Sequence, residues 1–264
     1  MKVIKVGLYV FLAYSLLIIG LYFIQEKIIF QGSSLPDDFK FKIDKPFEEV
    51  YLNTSDSSRI HGVLIRSDSS VGCILYFHGN RGNIVRWGNL AEYFTQYNYD
   101  VFVMDYRGYG KSKGDRTEEL LHLDAKLAYD YLLKRYNSKN IILYGRSLGT
   151  GLATRLASVV RPKSLILETP YHNFRDMMNE RFMILPIKKL IKYSFSSNEY
   201  ISDVECPIYI FHGTNDHVIP IAYGLRLAES ANTELIRFFT IKSGEHNNLN
   251  EFTGYNDAMV QVLN

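Results

Sequence analysis

A serine, an aspartate and a histidine stand in that order in glycine-bearing stretches: Gly145-Arg146-Ser147-Leu148-Gly149, Gly213-Thr214-Asn215-Asp216 and Gly244-Glu245-His246. Each stretch follows a short apolar run. A serine hydroxyl is a weak nucleophile until a base takes its proton. An imidazole serves as that base when a carboxylate fixes its tautomer and stabilises the imidazolium. The chemistry of such a set is acyl transfer to water, with Ser147 attacking a carbonyl, His246 as base and Asp216 orienting it. The tetrahedral intermediate also needs hydrogen-bond donors for its oxyanion. The backbone N–H of Leu148, at the start of a helix, is one candidate. The N–H of Asn80 in His78-Gly79-Asn80-Arg81-Gly82-Asn83 is the second, in a loop whose two glycines let the main chain approach a substrate.

Each of these residues has a rival. By itself G-x-S-x-G is a weak signal, because loops use glycine and serine freely. Its context strengthens it: the buried strand type Asn140-Ile141-Ile142-Leu143-Tyr144 precedes it and the helix-compatible run Leu152–Ala157 follows. A strand that turns sharply into a helix holds its serine in a strained, exposed position. Glu168, at the end of another apolar run, is the alternative acid. His78, His172, His212 and His217 compete with His246 as base, but His78 and His212 read as loop-holding residues. A metal site built from His212, Asp216 and His217 lacks a further ligand cluster with defined spacing. Gly110-Lys111-Ser112 resembles a phosphate loop, yet Asp105 occupies the position where that loop needs glycine. Gly145-x-x-x-Gly149-x-Gly151 departs from the dinucleotide fingerprint.

These residues need elements to position them. Phe47–Asn53 and Arg59–Arg66, joined by the polar turn at residues 54–58, predict an antiparallel hairpin. From residue 71 onward, short apolar runs alternate with segments of helical spacing. Strands are expected at residues 73–77, 101–104, 141–144, 164–167, 207–211 and 235–241, and helices at 84–97, 221–231 and 250–263. Thr117 is expected to cap a helix whose first turn holds Glu118 and Glu119. This alternation implies an α/β domain, with a mostly parallel sheet covered by helices on both faces. In such sheets the chemistry collects beyond the carboxyl ends of the strands, where Ser147, Asp216, His246 and the residue 78–83 loop all fall. Residues 171–203, rich in aromatics and methionine, break the rhythm and predict a helical cap over the sheet.

The amino terminus has a different character. Val6 to Ile24 carries no charge, and about 19 residues at roughly 1.5 Å each cover a bilayer's hydrocarbon core. Residues 1–26 are therefore expected to be one uncleaved transmembrane helix, in contact with membrane lipid through residues 6–24. A linker, 27–46, would join it to a domain at 47–264. Lys2 and Lys5 before the apolar run favour a cytoplasmic amino terminus and a domain on the non-cytoplasmic side. Across all 264 residues, 47% are hydrophobic and 22% charged, with a formal net charge of +2, which does not imply a nucleic-acid partner. Two cysteines, Cys73 and Cys206, exclude a disulfide scaffold and read as buried free thiols.

The five motifs, His78-Gly79-Asn80-x-Gly82-Asn83, Tyr106-Arg107-Gly108-Tyr109-Gly110-x-Ser112, Gly145-Arg146-Ser147-Leu148-Gly149, Gly213-Thr214-x-Asp216-x-Val218-Ile219-Pro220 and Gly244-x-His246-Asn247, resemble the α/β-hydrolase superfamily. More narrowly, the chain is similar to the Bem46 and ABHD13/ABHD17-like membrane-anchored serine hydrolases over residues 47–264. The resemblance implies the α/β-hydrolase fold, a Ser147–Asp216–His246 triad and a main-chain oxyanion hole at Asn80 and Leu148. It implies no cofactor. The expected substrate is a small-molecule or acylated ester or thioester. The same motifs occur in the peptide-hydrolysing branch, and a non-catalytic membrane-anchored binding protein is the reading from another class. Glu245 departs from the small residue that many relatives carry before the histidine, which puts a carboxylate next to the base.

Overall fold

Strand-length runs with no polar alternation can be buried only if both faces of their sheet are covered. The computed structural model describes residues 2–264 and meets that condition with one eight-stranded sheet. Its strands are β1 (Phe47–Asn53), β2 (Arg59–Ile65), β3 (Gly72–Phe77), β4 (Tyr99–Met104), β5 (Ile141–Arg146), β6 (Ser164–Glu168), β7 (Ile208–Gly213) and β8 (Ile236–Ile241). The spatial order is β8-β7-β6-β5-β3-β4-β2-β1. β2 runs antiparallel to both β1 and β4, and every other pairing is parallel. The α/β-hydrolase fold with its antiparallel hairpin is therefore present, and β5, which leads into Ser147, lies near the middle of the sheet.

Alternate residues of one strand feed separate cores. Cys73, Leu75 and Phe77 pack with residues of α3 (Glu118–Leu133) and α4 (Gly149–Ala157), while Ile74 and Tyr76 pack with α2 (Ile84–Ala91) and the closing helix Thr253–Leu263 on the other face. Cys73 and Cys206 are both buried and unpaired, and burial pushes the Cys206 thiol up to about 12. Thr117 caps α3 by accepting from the Leu120 N–H at 3.1 Å. Glu118 goes beyond the dipole role expected of it: its carboxylate accepts the N–H groups of Ser194 at 2.6 Å and Phe195 at 3.0 Å. It thereby pins the segment between β6 and β7 just before its last short helix. That segment carries the short helices α5 (Phe174–Arg181), α6 (Ile187–Leu190) and α7 (Ser197–Tyr200), in the place where sequence predicts a cap at 171–203.

The apolar amino-terminal run forms α1 (Lys2–Ile29); Met1 lies outside the described residues. α1 is long and apolar enough to cross a membrane and is the candidate anchor. Two boundaries differ from expectation. The helix continues past residue 26 to Ile29, because Gln25 and Ile29 are buried against the domain and Phe30 joins its core. The residues expected as a linker are docked on the domain. Gln31 and Gly32 pair in parallel with Arg81 and Gly82, and Leu35 donates to the Gly110 carbonyl at 2.8 Å. Backbone pairing of this kind has no hydropathy signature.

The Tyr106–Ser112 motif serves packing through Arg107, which is only 1% exposed. Its guanidinium grips Asp124 of α3 at 2.7 and 2.9 Å and reaches Asp56 in the β1–β2 turn at 2.5 Å. Burial raises the Asp124 carboxyl's pKa although Arg107 opposes the shift. Replacing Arg107 with methionine would strand that acid, and breaking a buried pair costs about 3–5 kcal/mol. Urea unfolding of the Arg107→Met chain is expected to show a loss of that size; an unchanged midpoint would contradict it.

Candidate active site

Between β5 and α4 the main chain reverses in a space that admits no side chain. A Cβ on Gly149 would lie 2.1 Å from the Phe77 carbonyl oxygen, and one on Gly145 would lie 2.7 Å from the Gly149 carbonyl oxygen. Ser147, between them, has φ of 51°, in the left-handed region that disfavours a side-chain-bearing residue. Its backbone is tied on both sides, by its own N–H to the Glu168 carbonyl at 2.9 Å and by its carbonyl to the Thr150 N–H at 3.0 Å. Such strain persists only where the surroundings over-determine it.

The three sequence-predicted side chains meet at this turn. His246 Nε2 lies 3.0 Å from Ser147 Oγ, and His246 Nδ1 lies 2.8 Å from Asp216 Oδ2. Ninety-nine residues separate the serine and the histidine in sequence. The loops after β7 and β8 are laced together to achieve this: Asn215 donates to the Gly244 carbonyl at 2.9 Å, and Ser243 donates to Thr214 Oγ1 at 2.8 Å. A Cβ on Gly213 would come within 2.1 Å of the Gly244 oxygen, so that glycine is what lets the loops touch.

Asp216 is buried, and its other oxygen, Oδ1, accepts the N–H groups of Val218 and Ile219, each at 2.8 Å. Burial pushes its carboxyl up, but hydrogen bonds with His212 and His246 outweigh that and hold it well below the usual carboxylate range. The acid is therefore ionised at neutral pH, with a geometry that fixes the Nδ1–H tautomer of His246. His212 Nε2 donates to the Ile219 carbonyl at 2.8 Å and sits 3.5 Å from Asp216 Oδ2, so it braces the acid's loop.

The other candidates fall elsewhere. Glu168 pairs with Arg146 at 3.1 Å and accepts from Tyr144 and Tyr255, with no contact to His246. His78 donates Nδ1–H to the Gly79 carbonyl at 2.7 Å and holds its own loop. His172 lies near Ser230, His217 is exposed, and Glu245 projects to solvent with no ion pair among the described residues. Sequence reading overlooked Arg146, the residue inside G-x-S-x-G. Buried beneath the elbow, its guanidinium pairs with Glu168 and donates to the His246 carbonyl at 3.3 Å, tying the serine turn to the histidine loop. The signal was a charge at the end of an apolar strand with an acid at the end of the next.

The oxyanion-hole candidates have main-chain donors to spare. Among the described residues the N–H groups of Asn80 and Leu148 donate to no acceptor. The Asn80 loop is held from outside by the chain that follows α1. Gln31 N–H donates to the Asn80 carbonyl at 3.0 Å, Asn80 Nδ2 reaches the Ile29 carbonyl at 3.3 Å, and Asn83 Nδ2 reaches the Ser33 carbonyl at 2.9 Å. Tyr109 adds a hydroxyl to the Asn80 carbonyl at 2.8 Å. A strained serine, a tautomer-fixed imidazole and two free N–H donors can together take a carbonyl carbon through a tetrahedral adduct.

Known proteins agree with this architecture. Residues 68–199 match the family described as "Serine aminopeptidase, S33". An uncharacterized protein of Acanthamoeba polyphaga mimivirus is 34% identical over 233 residues, 78% of each chain. Protein bem46 of Schizosaccharomyces pombe is 26% identical over 269 residues, 96% of this chain and 90% of its own. The lysophosphatidylserine lipase ABHD12 of Danio rerio is 31% identical over 185 residues, 62% of this chain and 48% of its own. An esterase of Pyrococcus furiosus shares the fold with a TM-score of 0.68 at 19% identity, covering 89% of this chain and 97% of that one.

Because residues 30–35 brace the Asn80 loop, their removal should disturb it. A chain starting at residue 36 is expected to react with a fluorophosphonate about 10²-fold more slowly than one starting at residue 25, since a 1 Å misplacement can cost that much. Equal labelling rates would mean that the strap is idle.

Proposed function

The chain belongs to the serine aminopeptidase S33 family of α/β-hydrolases, and from that membership we propose a serine hydrolase that cleaves ester or thioester bonds through an acyl-enzyme. One observation carries the reading: the unbroken line from Asp216 through His246 to Ser147, at 2.8 and 3.0 Å, ending on a serine with φ of 51°. Ser147 attacks the carbonyl carbon as His246 takes its proton. The oxyanion is held by the N–H groups of Asn80 and Leu148. His246 returns the proton to the leaving alcohol or thiol, then activates the water that frees the acid, while Asp216 stabilises the imidazolium. The candidate anchor, the Danio rerio relative named as a lipase and the apolar cap favour acyl-bearing substrates. The family's description favours a second reading, an aminopeptidase, which uses the same groups on an amide.

Ser147→Ala is expected to abolish fluorophosphonate labelling and to lower p-nitrophenyl ester hydrolysis by about 10⁶-fold. Asp216→Asn should lower it by about 10⁴-fold, the cost of the wrong imidazole tautomer. Turnover of aminoacyl p-nitroanilides in preference to acyl esters and thioesters would move the assignment to the peptidase; labelling that survives in Ser147→Ala would end both readings.

We further propose that the domain lies on the non-cytoplasmic side, with Lys2 and Lys5 left inside. Asn53-Thr54-Ser55 is a glycosylation acceptor sequence with Asn53 exposed. Translation with microsomes should add one glycan that Asn53→Gln lacks; an unmodified chain that is protease-sensitive from outside would reverse the orientation.

A further inference from the structure

α1 is fastened to the cap at two heights. Near its end, Gln25 Nε2 donates to the Leu190 carbonyl at 3.1 Å and Gln25 Oε1 accepts the Lys192 N–H at 2.8 Å. Eleven residues earlier, the Tyr14 hydroxyl donates to the Ile184 carbonyl at 2.9 Å. At 1.5 Å per residue the cap thus follows α1 for about 16 Å. Around the Gln25 tie lies an apolar cavity of about 170 Å³, lined by Leu21 and Ile28 of α1 and by Met178, Phe182, Leu185 and Ile191 of the cap. Tyr14 sits within the uncharged run of residues 6–24.

The turn that reaches Tyr14 is apolar and bare. Phe182 is 42%, Met183 85% and Ile184 87% exposed, beside the equally bare flank of α1. In water each exposed apolar Å² forgoes about 25 cal/mol of burial; against hydrocarbon that penalty is absent. Chain at hydrocarbon depth must also satisfy its backbone internally. Here Phe182 N–H bonds to the Met178 carbonyl at 3.0 Å, Leu185 N–H to the Phe182 carbonyl at 2.9 Å, and Ile187 N–H to the Leu185 carbonyl at 2.8 Å, which leaves the N–H groups of Met183 and Ile184 as the turn's unpaired donors among the described residues. The Ile184 carbonyl takes the Tyr14 hydroxyl, so one bond satisfies two groups that lipid could not. Arg181, Lys188, Lys189 and Lys192 flank the turn, with no acidic residue from 181 to 198. Basic residues bordering an apolar tip suit the headgroup layer.

We propose that the cap tip, Phe182–Leu185, is a second membrane-inserted element that enters the same leaflet as the carboxyl-terminal half of α1. The proposal rests on α1 spanning a bilayer and is independent of the reaction at Ser147. The occupant of the exposed surface is the lipid acyl region, and the cap becomes the point where the domain meets the membrane interior.

The native chain has a single tryptophan, Trp87, which is buried and serves as the background. Full-length Ile184→Trp and Phe11→Trp chains are reconstituted in phosphatidylcholine vesicles with or without bromine on the acyl chains. After subtraction of wild-type emission, brominated acyl chains are expected to quench both added indoles at least twofold. Quenching of Phe11→Trp with none for Ile184→Trp would overturn the proposal and leave the tip in water or against a second copy of the chain. Quenching of neither would overturn it together with the spanning role of α1. Fluorophosphonate labelling of the same samples reads the Ser147 assignment separately.

Discussion

The site depends on the absence of space between β5, α4 and the end of β3. Gly149 packs so tightly on the Phe77 carbonyl that any Cβ would overlap it, and Gly145 is closed in by α4 itself. That contact forces the reversal at Ser147 into the left-handed region and projects Oγ beyond the sheet. The strain is offset by the neighbouring strands: the Ser147 N–H is held by β6, and the packed apolar residues of β3 and β5 leave the turn nowhere to relax. Close packing converts sequence into placement here, because a core at crystalline density transmits displacement instead of absorbing it.

Charge is handled by the same economy of space. Asp216 is buried among donors, so its ionised form is retained by hydrogen bonds from His212, His246 and two main-chain N–H groups. Arg146 and Glu168 form the complementary pair on the far side of the elbow, with Tyr144 and Tyr255 closing the network. One network orients the imidazole; the other holds the loops that carry the serine and the histidine. Each is built from residues at the ends of adjacent strands, where parallel register brings carboxyl termini together.

Much of this was legible in the chain. Short continuous apolar runs located the parallel strands of the sheet, and the rule that chemistry gathers at carboxyl ends selected Ser147, Asp216, His246 and the Asn80 loop. What escaped had no local pattern. The pairing of Gln31 and Gly32 with Arg81 and Gly82 is main-chain bonding across fifty residues, so residues 27–46 read as a linker. Arg146 read as a spacer in a motif because its partner lies on another strand. Glu118 suited a helix start so well that its grip on Ser194 and Phe195 could not be foreseen. Side-chain types at strand ends survive in sequence; long-range backbone bonds do not.

The strap from Ile29 to Leu35 leaves almost no slack between α1 and the Asn80 loop. With α1 in a bilayer and Ser147 as the nucleophile, reaction would be confined to one fixed height above the lipid, where a domain on a flexible tether would sweep a volume. The encounter would become two-dimensional. Turnover would then follow the mole fraction of substrate within the membrane surface, and bulk concentration would matter only through partitioning. Selectivity among equally reactive esters would arise from how far each bond stands from the bilayer, a property that no side chain in the pocket needs to recognise.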